Sequence, residues 1–140
     1  MRTIVITTLC LLFALPAAAS ERAARKANPD VAESLDAILD EVADWSALAE
    51  GCYDDPCETM KSEADAIADN LAELWSVIGK PDGKREVVDA TYREILRHTD
   101  AFERWMPQAE IDDLDGHVRR WTRTREKIDR FKRTMRQLVG

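Results

Sequence analysis

The spacing of apolar residues constrains this chain more than any other feature: in four successive stretches they recur every three or four positions, and breaks containing Gly or Pro separate the stretches. That period lays the side chains along one face of an α-helix, whereas a half-buried strand would alternate at every second residue. No alternation persists long enough to define a strand. The first stripe is Val31, Leu35, Ile38, Leu39, Val42, Trp45 and Leu48, and the second is Met60, Ala64, Ile67, Leu71, Leu74, Trp75 and Ile78. The third is Val87, Val88, Tyr92, Ile95, Leu96, Phe102, Trp105 and Met106, and the fourth is Ile111, Leu114, Val118, Trp121, Ile128, Phe131, Met135 and Leu138.

The breaks carry recognisable start and stop chemistry. Asn28 precedes Pro29, a cap followed by a residue suited to the first helical position. Gly51 supplies a stop, for which a left-handed glycine is expected. Asp55 is expected to cap the second helix, with Pro56 in its first position and Glu58 completing a capping-box pair. The run Gly79-Lys80-Pro81-Asp82-Gly83 ends that helix and Pro107 ends the third. Gly116 weakens the start of the fourth and points to a beginning near Asp115. A chain of 140 residues makes one small domain, and only five Gly and five Pro among them argue against a disordered or loop-rich chain. Short turns make consecutive helices antiparallel, so the predicted fold is all-α, an up-down-up-down antiparallel four-helix bundle over residues 28–140. Each helix brings one tryptophan, and three of the four fall in one half of the bundle.

Residues 1–19 read as a cleaved secretory signal peptide. Arg2 is followed by an apolar run from Ile4 to Leu15 and by Pro16-Ala17-Ala18-Ala19. The run is shorter than the ~20 apolar residues of a spanning helix. Ser20 follows the small-residue stretch, where a lipid-anchored precursor would carry cysteine. Cleavage after Ala19 leaves residues 20–27 as a polar N-terminal segment and places the protein outside the cytoplasm, in a periplasm or secreted. It also removes Cys10 and leaves Cys52 and Cys57, whose spacing across Gly51–Cys57 suits one short-range structural disulfide in an oxidising compartment. A redox pair would want C-x-x-C in a βαβ setting, and the sequence offers neither.

Arg2 is the only charged residue in that leader, so its loss takes the net charge from −7 to −8. The charge is unevenly placed. Residues 30–78 hold fourteen acids and one base, while residues 117–140 hold nine bases and two acids. The basic last helix offers a candidate interaction face of Arg119, Arg120, Arg123, Lys127, Arg130 and Arg133, suited to an anionic membrane surface or a polyanion. The simpler account pairs that helix with the acidic first helix inside the same molecule, as complementary charges do in coiled coils. Overall acidity and export both argue against nucleic acid.

His98 and His117 are the only imidazoles. A fourth helix starting near Gln108 would place both roughly 12 to 14 Å from the turn before it, level on neighbouring helices, with Asp44 and Asp65 at comparable height. Two imidazoles and a carboxylate suit zinc or another transition metal. A start at Asp115 would instead keep the histidines apart, which is the simpler outcome. The haem-attachment pattern C-x-x-C-H is absent, and spacing gives no support to a haem held by a histidine and Met60, Met106 or Met135. Ile111–Gly116 resembles the middle of a calcium loop, but Ile111 and Thr122 stand where its first and last carboxylates belong. No phosphate loop and no nucleophile elbow occurs. The sequence therefore predicts a non-catalytic binding module with no cofactor and an unidentified macromolecular partner. The alternatives are a periplasmic metal or haem carrier using His98 and His117, and a protein held at anionic membranes by its last helix.

Overall fold

Four long helices follow the four apolar stripes, and a shorter one precedes them. The computed structural model describes residues 18–140; the signal-peptide reading falls almost wholly on residues 1–17, outside the described residues. Helix α1 covers residues 18–27, α2 Pro29–Glu50, α3 Asp55–Gly79, α4 Arg85–Trp105 and α5 Leu114–Val139, with a 3-10 turn over Met106–Gln108. In the antiparallel bundle α3 packs most extensively on α2 and α4, and α5 closes the ring against α2 and α4. Leu35, Met60, Ile67, Leu71, Leu74, Ile78, Ile95 and Phe102 are wholly buried at its centre. Each contributes about 1.5 to 3 kcal/mol relative to an exposed side chain. None of the described helices is long and apolar enough to cross a membrane.

Residues 20–27 are more than the polar lead-in expected from the sequence. They form most of α1, and Ala24 is fully buried. The backbone of α1 lies so close to the end of α3 that a Cβ on Gly79 would sit 3.1 Å from Ala23 Cβ and 3.2 Å from Ala24 N. Gly79 therefore does more than end a helix: its missing side chain admits α1. Asn28 Nδ2 donates to the Ile78 carbonyl at 2.9 Å, while Arg25 donates to Asp36 and Glu21 and lies 5.2 Å over the Trp75 ring.

The helix boundaries differ from the expected ones in two places. Gly51 keeps a right-handed conformation at φ −74° instead of the expected left-handed one, because its N–H still bonds within the helix, to Ala47 O and Leu48 O. The cap of α3 is Asp54 and not Asp55, its carboxylate accepting from Cys57 N at 2.9 Å. That one-residue shift puts Glu58 a position too far for the expected capping box. Helix α5 begins at Leu114, within one residue of the expected Asp115, after Asp113 takes a left-handed turn at φ 54°. The Asp113 carboxylate then folds over Gly116 into the space a Cβ would fill.

Candidate functional site

Helix α5 carries the basic residues, and its neighbours decide which of them stay available. Toward α2, Lys127 bridges to Glu41, and Arg120 lies 3.9 Å from Asp44 and 4.7 Å over the Trp45 ring. Toward α4, Arg125 bridges to Asp100 at 2.6 Å and to Glu103, Arg136 Nε faces Asp89 at 3.2 Å, and Lys132 lies 5.8 Å over the Tyr92 ring. The expected pairing of α5 with α2 is present, and α4 pairs with it as well. Sequence counting missed Asp89, Asp100 and Glu103 because they lie in a segment of mixed charge.

Of the six residues of the candidate basic face, Arg120 and Lys127 are thus engaged inside the molecule. Arg119, Arg123, Arg130 and Arg133 are exposed and in no ion pair among the described residues. At 100° per residue these four fall within about 40° of one outward line, which spans about 21 Å of helix. Glu126 lies on the same line. Beside it, a shallow groove of about 280 Å³ between α2 and α5 is floored by Ile38 and Phe131 and rimmed by Arg130.

The rotation that turns this ridge outward is fixed by buried polar contacts. Trp45 Nε1 donates to Thr124 Oγ1 at 3.0 Å, and the Thr124 hydroxyl donates to Glu41 at 3.1 Å. On the other flank Tyr92 Oη donates to the Ile128 carbonyl at 3.1 Å. Burial, with the nearby Asp129 charge, holds the Tyr92 phenol far above its ordinary range, so this donor keeps its proton. Trp45, Phe102 and Trp121 stack around these contacts with ring centres 4.2 to 5.7 Å apart. Trp45, Tyr92, Phe102 and Trp121 stood in the apolar stripes, but Thr124 carried no signal in the sequence.

The four candidate metal ligands are not brought together. Because α5 begins at Leu114, His117 sits in its first turn, its ring 6.1 Å from that of Trp45. His98 pairs instead with Glu63 of α3, and its Nε2 lies 4.0 Å from Glu94. Asp65 is taken by Lys61 and Ser46, which hold its carboxyl below the ordinary range, and Asp44 faces Arg120. Among the described residues the ligand atoms that do cluster within 4.8 Å are those of Cys52, Asp54 and Cys57. Their arrangement does not suit a metal, since both sulfurs are spent in a disulfide and metal ligation needs thiolate.

The disulfide lies at the end of the bundle where α2 turns into α3. Cys52 and Cys57 are bonded with their Cα atoms 5.9 Å apart. A formed disulfide marks an oxidising, extracytoplasmic environment. Asp54, between them, accepts from Cys57 N with one oxygen and from Glu110 N with the other, at 3.0 Å, so the loop is tied to the α4–α5 connection. Tyr53 at its tip is 97% exposed.

No protein-family model, no curated protein and no solved structure matches the chain.

Proposed function

We propose that this is an exported, non-catalytic binding module whose recognition face is the outward ridge of α5. One observation carries the reading: after both flanks of α5 have paired with α2 and α4, Arg119, Arg123, Arg130 and Arg133 remain aligned toward solvent. Guanidinium groups recognise carboxylates, sulfates and phosphates through paired hydrogen bonds, so the partner presents anionic groups. Its most fitting form is an acidic segment of another macromolecule laid along the helix. A lipid surface fits less well. The apolar residues Trp121, Ile128, Phe131 and Met135 are buried in the bundle, so α5 has no face left to insert into a bilayer. Adsorption would then rest on charge alone, at about 1 kcal/mol per basic residue.

Poly-L-glutamate serves as the probe. The protein is expected to bind it at low salt and to lose binding as salt rises. Replacing Arg119, Arg123, Arg130 and Arg133 together by Gln should remove binding without changing the helical spectrum. No binding by the unaltered protein at low salt would sink the proposal. Co-sedimentation with anionic vesicles but not with polyglutamate would transfer the ridge to a membrane surface. Export is tested by the intact mass of the protein recovered outside the cytoplasm, where a chain beginning at Ser20 with an oxidised disulfide is expected. A mass that retains residues 1–19 would overturn that part.

A further inference from the structure

Tyr53 stands apart from the other exposed apolar side chains. Val87 and Val118 are only 40% and 41% exposed, whereas Tyr53 is 97% exposed at the tip of its loop. Its exposure is not the looseness of an untethered segment. The Cys52–Cys57 bond closes the loop, and the Asp54 carboxylate fastens it to Cys57 N and to Glu110 N. An aromatic ring held in water by a braced loop loses little conformational freedom when a partner covers it.

The surroundings of the ring specify the partner's charge. From Glu50 to Glu58 and from Glu110 to Asp115 the two adjoining loops and the helix ends that flank them hold eight carboxylates and no base. Tyr53 and Glu110 line one shallow groove of about 420 Å³ together with Gly51, Cys52 and Asp54. Elsewhere in the molecule a cation lies over Trp45, Trp75 and Tyr92, supplied by Arg120, Arg25 and Lys132. Tyr53 has carboxylates around it and, among the described residues, no cation over its face. We propose that this groove is a docking point for a lysine- or arginine-bearing segment of another protein, the cation stacking on Tyr53 and pairing with Glu110. The net charge of −7 steers such a segment toward the molecule and repels a second copy of the chain. This site lies apart from the arginine ridge and does not depend on it.

The probe is a fluorescent octa-arginine peptide, followed by anisotropy at ~0.15 M salt, where charges farther apart than about 8 Å are screened. Tyr53→Ala should weaken binding about three- to tenfold, while Tyr53→Phe, which keeps the ring face, should stay within about twofold. Glu110→Gln should weaken binding as well. Asp69→Asn, an exposed acid in the middle of α3, should have little effect. The melting temperature of Tyr53→Ala should match that of the unaltered protein. The proposal fails if Tyr53→Ala binds as well as the unaltered protein, or if Asp69→Asn costs as much as Glu110→Gln, which would mean diffuse attraction. Sedimentation equilibrium of the protein alone should show a monomer. A dimer abolished by Tyr53→Ala would make a second copy the occupant and overturn the assignment to another protein.

Discussion

Helices α3 and α5 are nearly equal in length, 25 and 26 residues, yet different forces hold them. Nine residues of α3 are buried, and every one is apolar. Helix α5 buries five, one of which is Thr124. It makes up the difference with the Trp45–Thr124–Glu41 chain, the Tyr92–Ile128 bond and ion pairs on both flanks. Apolar burial is strong but non-directional, while a hydrogen bond fixes the angle at which two groups meet. The comparison separates two tasks: α3 supplies much of the cohesion, and the polar contacts of α5 choose its rotation and so decide which arginines face outward.

The largest effect belongs to α3. Leu71→Ala should cost about 3 kcal/mol in chemical denaturation, since it removes buried methyl groups and leaves a cavity. A loss below about 1 kcal/mol would break the picture of α3 as the cohesive helix. Thr124→Val keeps the shape but leaves Trp45 Nε1 buried without its acceptor, at a cost of about 2 kcal/mol. The same variant should weaken polyglutamate binding by loosening the ridge, an effect Leu71→Ala should not share while folded. Tyr92→Phe should cost about 1 kcal/mol, because the Ile128 carbonyl keeps its helical partner. Asp129→Asn should act in the other direction and more weakly. Partial burial raises the Asp129 carboxyl above its ordinary range, against the pull of Arg125 and Lys132. An acid with a raised folded-state pKa opposes folding while ionised, and the penalty fades as pH falls through the folded value toward the unfolded one. The melting temperature of Asp129→Asn should therefore exceed that of the unaltered protein at neutral pH, and the gap should close on acidification. A gap that widens on acidification would reverse the sign.

The periodicity that builds α3 was legible because it is local: every residue of its stripe, Met60 through Ile78, is buried. Val87 and Val118 were read as stripe residues and are exposed, each lying at the edge of its helix's apolar face, where period alone does not separate core from rim. The contacts of α5 were harder to read. Thr124 meets Trp45 across 79 positions, and no local pattern encodes that register. Gly79 looked like a helix breaker because nothing nearby in sequence reveals that Ala23 and Ala24 approach it. The candidate metal site failed for a related reason. Levelling His98 with His117 needed the start of α5, and Asp113 and Gly116 set that start beyond the turn from which the distances were reckoned. The basic face was legible as a set of residues but not as a surface, since its division depends on which neighbour offers a carboxylate.

Asp54 joins two loops with a single carboxylate, one oxygen on Cys57 N and the other on Glu110 N. Mechanically this is a rivet. The α4–α5 connection cannot swing away from the α2–α3 turn without giving up the bond from Glu110 N to the residue that caps α3, and a pull on the Tyr53 loop is carried to Glu110, four residues before α5 begins. Two stretches of chain more than fifty residues apart in sequence therefore share one side chain, and a load placed on either passes through it to the other.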